Sequence, residues 1–471
     1  MPILRLLTLL CGSLLLFCAT AQQPTESAQG AAGSEQPAAG LAQPPVDRTL
    51  TEEQRQRLFD RLADLLDEEG RRIGDFTAGG AGFRVADTEF GTFNFSIWTY
   101  ARYLNQKSLD ETYTDSFGRT KTLDLRNDLQ LNKVNLYFKG WIYDPKFSYM
   151  LFAWTQNAQM GDGAQVVIGG GLDYSFKPQL NVGAGVTQNP GTRSLRGTFP
   201  YWHRVDTRLI ADEYHRPSYT TGLYVYGNLR ENQNLQYKVV LGNNLSQLGV
   251  NAVQLDGDFN TLSASLNWSP QGEFGPRSGW GDFEHHDELV TNFGLGVTRS
   301  TEDRQSQPGE TSIENSQIRL SDGTRLFEDG AFGTDGRVNR ALYRMLSLDA
   351  GAKVRGWDFS GGYYARWVDD FETEGLVPVD KLHDWGYQIQ ISKMVLPEKL
   401  QVYLGYSKIM GEYGDPRDHV VGINWFPFEQ RLLRLNTEFM NLKNSPVGYP
   451  SVPMLVGGNG TVFMTSLEMV F

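Results

Sequence analysis

The chain has 471 residues, of which 51 are glycine and 12% are aromatic, and its formal net charge is −12. That acidic balance argues against a nucleic-acid partner, because phosphate binding needs a basic surface. The two cysteines, Cys11 and Cys18, lie at the very start, so the rest of the chain has no disulfide scaffold, thiolate metal site or cysteine nucleophile.

Residues 1–21 read as a secretory signal: Arg5, then an apolar run from Leu6 to Phe17, then Ala19-Thr20-Ala21 as an A-x-A cleavage site. Losing Arg5 with this segment takes the net charge from −12 to −13. Residues 22–49 are rich in Ala, Gly, Gln, Pro and Ser and read as a low-complexity linker without the apolar bulk for a core. Residues 50–73 hold a periplasmic amphipathic helix in this reading. Thr51-Glu52-Glu53-Gln54 is a capping box, Leu58, Leu62, Leu65 and Leu66 form the apolar stripe, and Gly70 is the stop. The stripe is compatible with a short coiled coil or with a helix folded back on the rest of the chain.

From residue 84 to 471 the pattern belongs to strands. Apolar Phe93, Phe95, Ile97 and Ala101 alternate with Asn94, Ser96, Tyr100 and Arg102. The same period of two recurs in Trp357, Phe359, Tyr363 and Trp367 against Asp358, Ser360 and Arg366, and in Leu433, Leu435 and Phe439 against Arg434, Asn436 and Glu438. The final segment places Phe463, Thr465, Leu467, Met469 and Phe471 on one face and Ser466 and Glu468 on the other. Short connections such as Asp144-Pro145, Lys177-Pro178 and Arg355-Gly356 alternate with long polar ones at 104–121, 158–163, 189–218, 246–257, 299–341, 370–383, 411–417 and 442–460. The stretch Ser269–Glu288 is the one long member of the short set.

This pattern predicts an all-β fold: a transmembrane antiparallel β-barrel of about sixteen strands, closed because lipid leaves no partner for a free edge. A bore of that width cannot be filled by wall side chains alone, so the polar set faces a water channel and the apolar set faces lipid. Tyr143, Trp154, Trp268, Trp367 and Trp425 are then interface aromatics.

The third long connection, 189–218, carries Arg193, Arg196, Arg204, Arg208 and Arg216 against Asp206, Asp212 and Glu213. Guanidinium groups suit phosphate or carboxylate, and a ladder of them in a pore favours anions. The alternative is that they pair with acids and hold the loop's shape. Lys133, Lys139, Arg102, Lys238, Arg366 and Arg434 point inward by parity and complete the pore-lining candidates. Loop 299–341 mixes acids and arginines and reads as a solvated, self-paired outer loop with turns at Asp322-Gly323, Asp329-Gly330 and Asp335-Gly336. Glu284-His285-His286-Asp287 reads as a hydrated turn rather than a metal site, and Gly169-Gly170-Gly171 as room for neighbouring aromatics rather than a phosphate loop. No H-E-x-x-H or G-x-S-x-G is present, so neither an enzyme nor a cofactor is expected.

Leu131-Asn132-Lys133-Val134-Asn135-Leu136-Tyr137-Phe138-Lys139-Gly140-Trp141 resembles an early hairpin of the phosphate-selective porin O/P family. So do the runs from Ile318 to Phe327 and from Ser347 to Trp357, the strand Gly361-Gly362-Tyr363-Tyr364-Ala365-Arg366-Trp367, and the Phe471 ending. The resemblance implies a sixteen-stranded homotrimeric outer-membrane barrel with a narrowed, anion-preferring pore. After Leu180-Asn181-Val182-Gly183 the family has a basic, aromatic run where this chain reads Ala184-Gly185-Val186-Thr187-Gln188, so its basic pore residues do not transfer. The expected function is passive diffusion of small hydrophilic, anionic or polar solutes through the outer-membrane lipid of a Gram-negative cell. The alternatives are a weakly selective general porin, a barrel whose outer loops mediate ligand uptake or adhesion, and an outer-membrane hydrolase.

Overall fold

The computed structural model describes residues 82–156, 165–230, 235–245, 258–305, 317–449 and 451–470. The signal segment, the linker, the amphipathic helix, loops 158–163 and 246–257, and Phe471 lie outside them.

Sixteen antiparallel strands close into a barrel. In chain order they are β1 (Gly91–Leu109), β2 (Asn127–Ile142), β3 (Asp144–Gln156), β4 (Gln165–Lys177), β5 (Leu180–Gln188), β6 (Tyr219–Asn228), β7 (Leu235–Gly242) and β8 (Thr261–Trp268). There follow β9 (Val290–Asp303), β10 (Arg337–Val354), β11 (Trp357–Glu374), β12 (Lys381–Leu396), β13 (Leu400–Met410), β14 (Arg417–Trp425), β15 (Leu433–Lys443) and β16 (Gly460–Val470). Each strand pairs with its neighbour in sequence, and β16 closes on β1 from Gly460↔Leu109 to Val470↔Trp98. A short strand, Phe83–Thr88, continues that seam by pairing with the start of β1, from Phe83↔Phe95 to Thr88↔Gly91.

The alternation sets the orientation of the wall. Along β14, Asp418, Val420, Gly422 and Asn424 are buried while Arg417, His419, Val421, Ile423 and Trp425 are exposed. Along β16, Leu467 and Met469 are exposed, and Glu468 is buried against Arg434 and Trp98. The outward set is rich in exposed apolar side chains, among them Leu266, Leu295, Leu348, Phe359, Leu404 and Phe439. A surface this apolar is unusual on a protein bathed in water. Short turns obey local chemistry. Val354 pairs with Trp357, and the two residues between them, Arg355 (φ 48°) and Gly356 (φ 78°), take the left-handed conformations that a tight hairpin demands.

Three expectations are corrected. The long turn 269–289 is not a hydrated turn: it folds inside beside loop 189–218, and its Phe274, Trp280 and Asp282 are buried. Loop 299–341 is not simply solvated. Its described part does self-pair, through Arg304 with Asp329 and Arg340 with Asp303, and turns at Gly323 and Gly330. Yet Ile318, Leu320, Leu326, Phe327 and Phe332 form a buried apolar cluster with Val338, Tyr343 and Val368 of the wall. Trp154 faces inward with Phe152, on the parity of β3, rather than sitting at an outer interface.

Candidate functional site

Loop 189–218 is built to lie against the inner face of β9–β15. Its backbone passes closest at Gly191, where the facing wall residue is Gly296; a Cβ at 296 would stand 1.9 Å from the Gly191 carbonyl oxygen. A Cβ at Gly294 would meet the Arg196 guanidinium, and one at Gly351 would meet Phe274 and Arg193. Glycine at these inward positions is therefore a condition of the loop's path. A short helix, α1 (Ile210–His215), seats its N-terminus on the wall, where Ile210 N donates to Asp418 Oδ2 (3.2 Å) and Ala211 N to Ser407 Oγ (3.0 Å). Two N–H groups that a helix start leaves open are thus satisfied.

Most of the loop's arginines are fixings. Arg193 lies between the rings of Trp280 (4.4 Å) and Phe274 (5.4 Å) and donates to Ser360 Oγ and to the carbonyls of Ser278 and Gly279. Arg196 pairs with Asp349 at 2.6 Å. Arg204 pairs with Glu438, both Nε and Nη2 donating to the carboxylate. All three are buried. Burial pushes Arg204 down, but Glu438 more than offsets this and leaves its pKa above the ordinary value.

The wall cations divide in the same way. Arg434 holds Glu468 (2.7 Å) and the Trp202 carbonyl (2.6 Å), and Arg366 holds Asp384 (2.5 Å), the Arg319 carbonyl and the Tyr214 hydroxyl. Arg102 binds Gln130 and the Ser451 carbonyl, and Lys238 donates to Thr187 (2.6 Å). Lys139 is half-buried on β2, away from the loop's cavity.

Lys133, Arg208 and Arg216 come together at a gap between loop and wall. It is partly open to solvent, and about 840 Å³ of it, open solvent included, is free of protein atoms. Loop residues Phe199, Trp202, Asp206, Arg208, Glu213 and Arg216 line one side. Lys133, Asn135, Trp154, Thr155, Val167, Gln188 and Tyr219 of β2–β6 line the other, and Tyr449, Ser451 and Val452 come from loop 442–460. Three cations face two anions. Lys133 pairs with Asp206 (2.5 Å), and Glu213 is shared by Arg208 (3.1 Å) and Arg216 (2.6 Å). Burial pushes the Glu213 carboxyl up, but the two guanidinium groups outweigh it and hold it below the ordinary carboxylate range. Glu213 is therefore ionised at neutral pH, so the lining itself holds three cations against two carboxylates, with a third carboxylate, Asp212, behind the Ser194 hydroxyl that Arg208 Nε contacts. Arg208 also lies on the Trp202 ring at 4.4 Å, and its Nη2 has no partner among the described residues.

No family model matches the chain, and no curated protein does. Among solved structures the chain is similar to the outer-membrane expressed OmpT of Vibrio cholerae, at 10% identity and TM-score 0.49 over 83% of this chain and 100% of that one. It is similar also to the outer membrane channel DcaP of Acinetobacter baumannii, at 11% identity and TM-score 0.47 over 83% of this chain and 100% of that one. A third is an anion-selective porin from Comamonas acidovorans, at 11% identity and TM-score 0.46 over 81% and 99%.

Sequence reasoning missed the wall side of the gap, namely Asn135, Trp154, Gln188 and Tyr219. The signal was present: Lys133 and Asn135 share a parity on β2, and Gln188 ends the strand that leads into the loop. The long turn contributes a different group. Asp282, Glu284 and His286 bring oxygen and nitrogen atoms within 4.8 Å of one another. Each is already engaged, since Asp282 Oδ1 lies 2.5 Å from His286 Nδ1 and Glu284 accepts from Arg431 at 3.0 Å. The triglycine behaves as read, with Gly169 under the Phe152 ring and Gly171 under the Tyr224 hydroxyl.

Proposed function

We propose that the protein is an outer-membrane channel for passive diffusion of small hydrophilic solutes, with a preference for anions. The gap carries this reading. It is bounded by Lys133, Arg208 and Arg216 against Asp206 and Glu213, inside a closed barrel whose outer face is apolar. A lipid-facing belt makes the barrel a membrane span, with the short turns in the periplasm and the long loops outside. The excess of cations over carboxylates in the lining raises the local concentration of anions even though the whole chain is acidic. Export through a cleaved signal, the homotrimer implied by the family resemblance, and the absence of a catalytic step all belong to the same reading.

The test is a planar bilayer holding the purified protein under a potassium chloride gradient. The reversal potential should lie on the chloride side, and Arg208→Gln with Lys133→Gln should move it towards potassium. Cation preference in the native protein would overturn the charge assignment. Absence of any conductance would overturn the channel.

A further inference from the structure

We infer that the gap is a weak binding subsite for small polyhydroxylated monocarboxylates, an inference that rests on the channel reading above. Three features of its lining point there together. The amide oxygens of Asn135 and Gln188 are buried without a hydrogen-bond partner, and both residues line the gap. Leaving a buried acceptor unmatched is costly. Oxygen and nitrogen of an amide are interchangeable by a flip, so the matching group is one that donates or accepts equally well, which is a hydroxyl.

The second feature is charge. Arg208 and Arg216 share the single carboxylate of Glu213, and Arg208 Nη2 keeps no partner among the described residues. A guanidinium with a free edge suits one carboxylate. The third is an apolar surface. The Trp154 and Tyr219 rings meet edge to face at 5.8 Å on the wall side and give the C–H face of a solute a place to lie. Inorganic phosphate uses the charge and the amides but offers no C–H face to the rings. A neutral sugar uses the amides and the rings, and an alkyl acid uses the charge and the rings. A hydroxylated carboxylate engages all three.

The probes are glucuronate, glucose, hexanoate and inorganic phosphate, added to the full chain carrying chloride current in a bilayer. Glucuronate should interrupt the current at a concentration about tenfold below that needed for hexanoate or glucose, the difference expected from one or two hydrogen bonds. Asn135→Leu with Gln188→Leu should collapse the glucuronate-to-hexanoate ratio towards one, and Arg208→Gln should collapse the glucuronate-to-glucose ratio. The ranking of the four probes in the native protein needs no variant, so a misfolded substitution does not shield the inference. Equal block by glucuronate and hexanoate, or tighter block by phosphate than by glucuronate, would overturn the subsite. Either result leaves an anion-preferring reversal potential intact, whereas a protein without conductance sinks the channel and the subsite together.

Discussion

The two halves of the barrel interior are built on opposite plans. On β9–β15 the inward positions carry glycine where the loop backbone passes, at Gly294, Gly296 and Gly351, and carboxylates where the loop's arginines land, at Asp349 and Glu438. On β2–β6 the inward positions carry aromatics and amides, at Trp154, Tyr219, Asn135 and Gln188, and the glycines there make room for the wall's own rings. The first half is a socket and the second is a surface left for something else. An inward glycine beside an inward acid thus marks where a long loop docks.

Breaking the socket should have the largest effect. Glu438→Gln leaves the Arg204 guanidinium buried without its counter-charge, at a cost of about 3–5 kcal/mol. The loop should come away from β15. Single-channel conductance should then rise and fluctuate, and proteases should reach loop 189–218. Replacing both members, with Arg204→Met and Glu438→Leu, should recover most of the loss, because no charge is then stranded. If the single variant keeps native conductance and protease resistance, the arginine is not an anchor.

Packing comes next. Gly296→Val puts side-chain atoms into the Gly191 carbonyl and should cost about 1–3 kcal/mol, seen as a lower midpoint in heat-induced unfolding of the detergent-solubilised barrel. Gly361→Val is the control. Its nearest neighbour would be the Gln388 carbonyl at 3.6 Å, an ordinary contact, so the midpoint should not fall. Equal losses at both sites would mean that strand glycine itself, not the docked loop, sets the cost.

These contrasts also show what was legible beforehand. Strand number and facing were, because alternation and turn chemistry are local: Arg355-Gly356 bends only one way, and Asp349 and Glu438 have inward parity on their own strands. The partner of each loop arginine was not, because Arg204 and Glu438 are 234 positions apart and relative height in a barrel depends on its shear. A candidate list drawn up by charge alone therefore mixed anchors such as Arg193, Arg196 and Arg204 with gap residues such as Lys133, Arg208 and Arg216. Trp154 was misplaced for a simpler reason: nearness to a strand end was weighed above its parity with Phe152.

The long turn supplies the smallest predicted effect and ties the socket to pH. Asp282 accepts from the backbone N–H of Gly356 (2.6 Å) and of His286 (3.2 Å), and it faces the His286 ring. Burial raises the Asp282 carboxyl, but these hydrogen bonds outweigh it and leave its folded pKa below the ordinary carboxylate value. The sign follows from linkage. A carboxyl whose folded pKa is depressed contributes stability above its unfolded pKa, and that stability is lost as pH falls through the folded value. The turn should therefore stay docked at neutral pH and loosen in acid below about pH 4, the ordinary aspartate range. Protease cleavage within 269–289 should rise over that window in the native protein. In Asp282→Asn cleavage should start higher and change less with pH, because the titrating group is gone. An unchanged acid dependence in the variant would assign the loosening to another carboxylate of the socket, and the turn would then be held chiefly by Arg193 between Trp280 and Phe274.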